Sequence, residues 1–429
     1  RRRNGAGSRS TGGVEAVDIR TLRRVDRWLG GPLCGGLTLC RRLARLAPGG
    51  GSGRQPRRML FIKLAEQGST VLAYPALARA VAECGPANVH FLVFAENRFI
   101  LDAMRVLPAE NILALRTDSL AHCLGDALQA VRRLRRLRLA EAVDLEFFSR
   151  ASACLAYLSG AWVRVGLHAF HGEGPWRGDL LTHRLSFNPH LHTADLFLCL
   201  TAAAACDPRS LPALPLPVPP PTDQPRPRFE PDPACRDEVL RLLAAHDTRP
   251  GTQPVFLLNP NCGDMLPLRR WPGERYAALA ARLLAEWPQA RIVFTGLTSE
   301  AARTEAIVER IADPRCFSLA GQTGFAQLLT LYGLADVLVT NDSGPAHFAT
   351  LTDIEVVVLF GPETPALFGA RTPTTHALTA GLPCSPCVNA ANNRRSACRN
   401  NLCMQRLGVE TVLDAVRQAC AARRARPIP

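Results

Sequence analysis

Short apolar runs alternate with longer amphipathic segments along most of this chain. The runs MLFIKL (59–64), HFLVF (90–94) and AVDLEFF (142–148) have the length and the continuous apolarity of buried strands. Segments with a helical period separate them, such as TVLAYPALARAVAEC (70–84). Because strands that alternate with helices are typical of βαβ units, this part of the chain is predicted to form a parallel sheet covered by helices.

The same alternation restarts in the second half of the chain. The strand-like runs are VFLLN (255–259), ARIVFTG (290–296), ADVLVTN (335–341) and IEVVVLFG (354–361). The last helix is predicted at GVETVLDAVRQACAARR (408–424). The proline-dense stretch 207–234 favours an extended linker over helix or sheet. We therefore expect one α/β domain at 58–206 and another at 235–383, followed by a cysteine-rich loop and a helix at 384–429. Ligands of such folds bind beyond the carboxyl ends of the strands, so the site is expected in the cleft between the domains.

Residues 1–57 differ in composition from both halves. They begin with an Arg-, Gly- and Ser-rich stretch that is expected to be partly disordered. An apolar centre follows, WLGGPLCGGLTLC (28–40), with arginines on both sides. Three interpretations fit this pattern: a basic helix packed on its own domain, a hairpin or helix lying in an anionic membrane interface, or a segment that contacts nucleic acid. A Gly-Gly-Gly-Ser-Gly stretch at 49–53 predicts a flexible tether to the rest of the chain.

Composition narrows the class of protein. Of the 429 residues, 47% are hydrophobic and 21% charged, which excludes a disordered or collagen-like chain. The formal net charge of +14, carried almost entirely by arginine, favours anionic partners: nucleic acid, phospholipid headgroups or a nucleotide-linked substrate. No apolar run reaches the length of a membrane span, about 18–20 residues. Most of the 15 cysteines fall within apolar runs and no secretory signal is recognised, so a reducing, cytoplasmic compartment is expected.

The most informative turn is VLVTNDSGPAHFA (337–349), in which a strand passes directly into a helix. Ser343 or Asp342 suits the N-cap of that helix, and Pro345 suits its first turn. Free N–H groups and the positive end of the helix dipole offer a site for a diphosphate, and His347 lies in the first turn beside it. The alternative is an ordinary capped helix with a half-buried histidine.

Five motifs carry a resemblance to a known family. TNDSGPAHFA (340–349) resembles the TNDSGPxHxA signature of glycosyltransferase family 9, the lipopolysaccharide heptosyltransferases. The other motifs agree with the family in order and spacing: FIKLAEQGSTVLAYPALARA (61–80), NPNCGDMLPLRRWP (259–272), FTGLTSEAARTEAI (294–307) and LFGPETPALFG (359–369). The resemblance covers about residues 58–415.

The resemblance implies a GT-B enzyme, an α/β protein with two Rossmann-like domains that face each other across a cleft, here with a basic N-terminal extension. The N-terminal domain would bind the acceptor and the C-terminal domain a nucleotide-diphosphate sugar of the ADP-heptose kind. Transfer in this family inverts the configuration and needs no metal or other cofactor for catalysis. The residues that match the family's donor site are Arg269, Glu300, Asn341, Asp342, Ser343, Gly344 and His347.

The general base departs from the family pattern. Inverting transfer needs a group that takes the proton from the attacking hydroxyl. The family places an Asp directly after the glycine of the first turn, whereas this chain has Ser69 after Gly68. Glu66 in the same loop is the leading replacement. Asp144 and Glu146, near the end of a predicted strand, are the alternatives, and an inactive protein that only binds the sugar nucleotide stays open.

Four cysteines near the C-terminus, Cys384, Cys387, Cys398 and Cys403, have the C-x₂-C and C-x₄-C spacing of a tetrahedral thiolate site. The segment also resembles the four-cysteine iron site of protein heptosyltransferases that modify autotransporters. A structural zinc or iron is the leading interpretation, and disulfides or free thiols remain as alternatives.

The predicted function is transfer of a heptose or related sugar to a cell-envelope glycan or lipid-linked acceptor, with a protein acceptor as the alternative. The polar region 147–196, rich in His and Arg, is expected to recognise the acceptor or to form a structural cluster. An epimerase of the same fold fits the ordered motifs less well. Nucleic acid is not expected as a partner, because no basic motif with interleaved aromatics stands outside the N-terminal segment. The enzyme would act in the cytoplasm, with peripheral contact to the inner face of the bacterial inner membrane.

Overall fold

The computed structural model describes residues 19–44, 57–172, 174–213, 227–263, 266–392 and 394–426. The glycine-rich tether at 49–53, the first 18 residues and the centre of the predicted linker (214–226) lie outside the described residues.

The first α/β unit contains one six-stranded parallel sheet in the order β3-β2-β1-β4-β5-β6. Its strands are β1 (Met59–Ile62), β2 (Val89–Phe94), β3 (Ile112–Leu115), β4 (Glu141–Asp144), β5 (Val163–Leu167) and β6 (His183–Leu185). The helices that precede or cover it are α1 (Ile19–Trp28), α2 (Gly30–Ala44), α3 (Gln67–Leu72), α4 (Tyr74–Cys84), α5 (Arg98–Met104), α6 (Leu120–Leu137), α7 (Arg150–Leu158) and α8 (Thr193–Ala202).

The second unit repeats this topology, with the order β12-β11-β10-β7-β8-β9. Its strands are β7 (Val255–Asn259), β8 (Arg291–Phe294), β9 (Cys316–Ser318), β10 (Val337–Asn341), β11 (Glu355–Leu359) and β12 (Thr375–Leu378). Its helices are α9 (Pro233–Ala244), α10 (Gly273–Glu286), α11 (Ala301–Ile311), α12 (Phe325–Leu334), α13 (Gly344–Phe348), α14 (Pro365–Phe368), α15 (Leu402–Gln405) and α16 (Val409–Ala425). Two doubly wound parallel sheets confirm the predicted GT-B fold.

The central strands of both sheets are buried along their whole length, as expected for parallel strands covered by helices on both faces. Strand β4 of the first sheet is shorter than its apolar run predicted. β4 stops at Asp144, although its apolar run continues to Phe148. The Asp144 carboxylate accepts the N–H of Glu146 at 3.0 Å, and Phe148 adopts a left-handed backbone with φ 60°. This local turn redirects the chain away from the sheet.

The helices α1 and α2 pack on the first unit through one face. Asp26 accepts the N–H of Ala151 at the start of α7 at 2.7 Å, and Arg41 forms an ion pair with Asp179 at 2.9 Å. Gly30 packs against Arg150, and a Cβ added at Gly30 would lie 2.8 Å from the Arg150 side chain. These contacts seat α1 and α2 on the first unit. No helix in the described part of the chain is long and apolar enough to cross a bilayer.

Candidate active site

The two sheets reverse their strand order between β1 and β4 and between β7 and β10. Loops that follow these strands form the crevice in which doubly wound folds bind ligands. A cavity of about 320 Å³, called here the central cavity, lies between the two units and is lined from both. Its walls include Glu66, Gln67, Gly68 and Ser69 from the first unit and Arg269, Asp342, Ser343, Gly344, His347, Glu363 and Arg394 from the second.

Two further cavities adjoin the central one. The N-terminal cavity, of about 360 Å³, is lined mainly by the loop after β4 together with residues of α1, and shares Glu66 and Arg394 with the central cavity. The C-terminal cavity, of about 290 Å³, is lined by the loops after β7, β8 and β10 and shares Arg269 with it. The three cavities thus form one cleft that runs from the first unit to the second.

The units touch where α3 meets α13. A Cβ at Gly68 would collide with the imidazole of His347, so this close approach requires a glycine. Burial lowers the pKa of His347 to about 4, and the ring is therefore neutral at neutral pH. Its buried Nδ1 has no hydrogen-bond partner among the described residues. The sequence predicted His347 beside the helix start, but it did not predict this contact with the other unit.

Two acidic side chains lie together beneath the turn after β10. Asp342 is buried, and burial together with the neighbouring Glu363 raises its pKa to about 8. Arg269 donates from Nη1 to Glu363 Oε2 at 3.3 Å and from Nη2 to the carbonyl of Cys262 at 3.3 Å. At neutral pH, Asp342 is therefore mostly protonated, and Arg269 and Glu363 form an ion pair. The sequence did not assign Glu363 to the site, although its position in the loop after β11 is a detectable signal.

Arg394 is the second residue that the sequence did not reveal. It comes from the segment between the predicted cysteine pairs and enters the cleft, where its Nη1 lies 2.7 Å from Glu66 Oε1 and its Nε lies 3.4 Å from Glu363 Oε1. The guanidinium also lies over the rings of Phe147 and Phe368, 6.0 and 5.3 Å from their centroids. One arginine thus connects carboxylates of both units.

Glu66 occupies the junction of the central and N-terminal cavities. Its backbone is left-handed, with φ 70°, and this conformation turns the loop into α3. Lys63, which is fully buried, lies 3.3 Å from Glu66 Oε2, and the hydroxyl of Ser69 donates to the same oxygen at 3.2 Å. The carboxylate of Glu66 is thus oriented by two donors of its own loop and by Arg394.

The two alternative bases occupy different environments. Asp144 is fully buried, and it accepts from Arg177 and from the hydroxyl of Ser152, each at 2.9 Å. It is not among the described residues that line the three cavities. Glu146 lines the N-terminal cavity, where it accepts the N–H of Ala65 at 2.9 Å. Burial raises the pKa of both carboxyl groups.

The C-terminal cavity contains several of the residues expected to bind the donor. Glu300, Ser343 and Gly344 line it, together with the exposed side chain of Leu297 and the ring of Phe325. The carboxylate of Glu300 accepts the N–H of Leu297 at 2.9 Å, and burial raises the pKa of Glu300.

Asn341 was expected to bind the donor, but its side chain holds two segments of the second unit together. Its amide is buried, accepting the N–H of Trp271 at 3.0 Å and donating to the carbonyl of Asn261 at 3.2 Å. It therefore ties the loop after β7 to the end of β10. Within the described residues, it does not line any of the three cavities.

The cysteine cluster receives no support as a metal centre. Across the described ranges, no group of three or more His, Cys, Asp or Glu side chains is placed to hold a metal ion. Cys384, Cys387, Cys398 and Cys403 are all free thiols, and the Sγ of Cys398 lies 3.1 Å from the carbonyl of Asn400. The predicted zinc or iron is thus unsupported by the described residues.

Comparisons with known proteins agree with this architecture. The family model of glycosyltransferase family 9 (heptosyltransferase) matches residues 149–397. Lipopolysaccharide heptosyltransferase 2 of Salmonella typhimurium is 29% identical over 145 residues, which are 33% of this chain and 41% of that protein. The sequence match thus spans less than half the length of that relative.

Two solved structures share the fold. E. coli ADP-heptose lipopolysaccharide heptosyltransferase II has a TM-score of 0.64 at 19% identity, over 86% of this chain and 100% of that one. E. coli heptosyltransferase WaaC with ADP-2-deoxy-2-fluoro heptose has a TM-score of 0.55 at 14% identity, over 84% of this chain and 99% of that one. Since the family model covers more than half of the sequence, this chain belongs to glycosyltransferase family 9, the heptosyltransferase family.

Proposed function

We propose that this protein transfers a heptose or a related sugar, with inversion, from an ADP-heptose-like donor to a cell-envelope glycan or lipid-linked acceptor. The observation that carries the proposal is the continuous cleft, in which Glu66 stands between a cavity of the first unit and the Arg269 side of the second. Family membership supports the reaction class. The E. coli neighbour with ADP-2-deoxy-2-fluoro heptose supports the class of donor.

The nucleoside of the donor fits the C-terminal cavity. Leu297 and Phe325 offer apolar walls for a base, and the carboxylate of Glu300 offers an acceptor for sugar hydroxyls. The diphosphate would then reach Arg269, whose planar guanidinium suits phosphate oxygens. Protonation of Asp342 near neutral pH reduces the negative charge that a diphosphate would meet there. Asn341 would act indirectly by holding the loop that carries Arg269.

The acceptor fits the N-terminal cavity, with its reactive hydroxyl directed to Glu66. Glu66 would take the proton as that hydroxyl attacks the anomeric carbon from the face opposite the diphosphate. The bond to the acceptor oxygen forms as the bond to the phosphate oxygen breaks, and Arg269 stabilises the charge that develops on the leaving diphosphate. Ser69 and Lys63 orient the base through their contacts with its carboxylate.

A transfer assay tests the proposal. The full chain is incubated with ADP-heptose and a heptose-deficient core acceptor, and the product is identified by mass spectrometry while ADP release is followed. We expect one ADP for each heptose transferred. Donor binding without transfer to any glycan, lipid-linked or protein acceptor would instead support a protein that only binds the sugar nucleotide. Transfer to a polypeptide alone would support the protein-modifying alternative. A structural zinc or iron forms no part of the proposal, because the described residues give it no support.

A further inference from the structure

Helix α2 has an unusual distribution of apolar residues. Its inner stripe, Gly30, Cys34, Thr38 and Arg41, is buried against the first unit. The side turned away from this stripe, called here the outer face of α2, consists of Leu29 just before the helix and Pro32, Leu33, Gly36, Leu39, Cys40 and Leu43. All seven are exposed and none is charged. The helix is thus apolar on the side where a water-facing helix normally carries its polar residues.

The leucines of the outer face are large and accessible. Leu29, Leu33, Leu39 and Leu43 keep 50–65% of their surface exposed. Rotation of the helix cannot bury them, because its inner stripe is held in place. Gly30 lies under Arg150, and Arg41 forms an ion pair with Asp179. The thiols of Cys34 and Cys154 also meet at 3.6 Å. An apolar face that is fixed toward the outside needs a partner outside the described chain.

The residues around the outer face indicate the chemistry of that partner. Arg24 and Arg27 are exposed before it, and Arg42 is exposed near its other end. Trp28 is 74% exposed at the start of the face, and Trp176, 54% exposed, lies beside α2 at Gly35. Leucines that enter the acyl boundary, with arginines and tryptophans at headgroup level, are the pattern of a helix lying in an anionic membrane interface.

We propose that the outer face of α2 docks this protein on an anionic bilayer and that docking sets the mouth of the N-terminal cavity against the membrane surface. The link between the two is α1, because Asp26 and Arg27 line that cavity together with Glu66 and Glu146. This inference rests on the function proposed above. The docked protein would select as its acceptor an amphiphile whose sugar head lies at the bilayer surface.

A second copy of this chain is the competing occupant of the outer face. In a symmetric dimer the same patch would meet itself, so the arginines of one protomer would face those of the other. Like charges brought together in this way oppose association. An anionic lipid surface instead attracts Arg24, Arg27 and Arg42 at once. Charge complementarity therefore favours the bilayer.

The experiment measures sedimentation of the full chain with vesicles of phosphatidylcholine alone or with added phosphatidylglycerol. The test variant Leu33→Gln/Leu39→Gln removes apolar contact without a change of charge and touches no residue of the cleft. The matched control is Leu402→Gln, an exposed leucine of the second unit. We expect the protein and the control to bind anionic vesicles in a salt-sensitive manner. The test variant should bind at least tenfold more weakly, and neutral vesicles should retain little of any protein.

Three results would overturn the proposal: no binding of the unaltered chain to anionic vesicles, equal binding by the test variant, or a dimer in light scattering that the same variant converts to a monomer. Transfer to a detergent-dispersed acceptor is measured in parallel. The proposal predicts that the test variant keeps this activity while losing transfer to the same acceptor in vesicles. If the unaltered chain and both variants show no transfer, the result counts against the proposed function. The vesicle binding data would then still test the docking surface.

Discussion

Arg394 of the second unit lies 2.7 Å from Glu66 of the first. Both side chains are largely buried, with 12% of each exposed, and the same guanidinium lies 3.4 Å from Glu363. The contact joins the proposed base to the donor-side acidic residue across the cleft.

Loss of Arg394 should be costly to stability. Arg394→Met would leave Glu66 and Glu363 as buried carboxylates with less compensation, and breaking one partner of a buried pair typically costs about 3–5 kcal/mol. We expect a reduction of that order in the free energy of unfolding, measured in urea. The neighbouring Arg395 is exposed, so Arg395→Met is the matched control and should change stability by less than about 0.5 kcal/mol. Equal effects of the two variants would show that the cross-cleft pair contributes nothing.

The base is tested by ranking two variants of one loop. Glu66→Gln keeps the shape of the side chain but cannot take a proton, so transfer should slow by about 10²–10⁴-fold while ADP binding is retained. Ser69→Ala removes only an orienting hydrogen bond and should cost much less. Single-turnover assays with a saturating donor separate these effects. A larger loss for Ser69→Ala would move the catalytic role to position 69, and full activity of both variants would direct attention to Glu146.

Arg269 is expected to contribute directly to donor affinity. A hydrogen bond to a charged group contributes about 1.5–3 kcal/mol, so Arg269→Ala should weaken ADP binding by at least tenfold in calorimetry. Arg282 lies on the surface in an ion pair with Glu410 and lines none of the three cavities among the described residues. Arg282→Ala is therefore the control and should bind ADP normally. Unchanged affinity in Arg269→Ala would refute the assignment.

Donor binding should depend on pH through Asp342. Its pKa is raised to about 8, so the side chain is mostly neutral at pH 7 and becomes charged as the pH rises through 8. A charged Asp342 repels a diphosphate, and ADP affinity should therefore fall between pH 7 and pH 9. His347, with a pKa of about 4, does not titrate in this window. Asp342→Asn should remove this part of the dependence, and an identical pH profile in that variant would contradict the interpretation.

The same shift has a consequence for stability. The folded protein holds the Asp342 proton up to pH of about 8, whereas the unfolded chain releases it near the ordinary value of 3.8. Between these values the folded state binds more protons than the unfolded state, so its stability falls as the pH rises. Asp342→Asn should flatten this decline in urea titrations across the window.

Gly68 should tolerate no side chain. Gly68→Ala would place a methyl group against the ring of His347, and such overpacking typically costs about 1–3 kcal/mol. Gly125, inside α6, has open space around it, so Gly125→Ala should stabilise by about 0.5–1 kcal/mol through helix propensity. Opposite signs in urea unfolding are expected. Stabilisation by both substitutions would mean that α3 and α13 do not approach closely in solution.

Local patterns in the sequence were enough to predict the two sheets. β7 has the predicted bounds, since VFLLN is a continuous apolar run whose whole length is buried from both faces. β6 and β12 gave no such signal, because HRL and THAL are short and partly polar and lie at the sheet edges. The turn after β10 was also visible in the sequence, because a strand, a cap and a proline at a helix start are features of neighbouring residues.

Tertiary structure decided what depends on residues far apart in the chain. The sequence contained Glu66 and Arg394, but no local period relates positions that are more than 300 residues apart, and only folding places them 2.7 Å from each other. The raised pKa of Asp342 likewise arises from burial beside Glu363, which the residue type alone does not determine. The apolar residues of α2 were evident from the sequence, whereas their division into a buried stripe and an outer face follows from packing on α7. Apolar periodicity is a property of the local chain, but burial, charge pairing and exposure are set by whatever else the fold brings into contact.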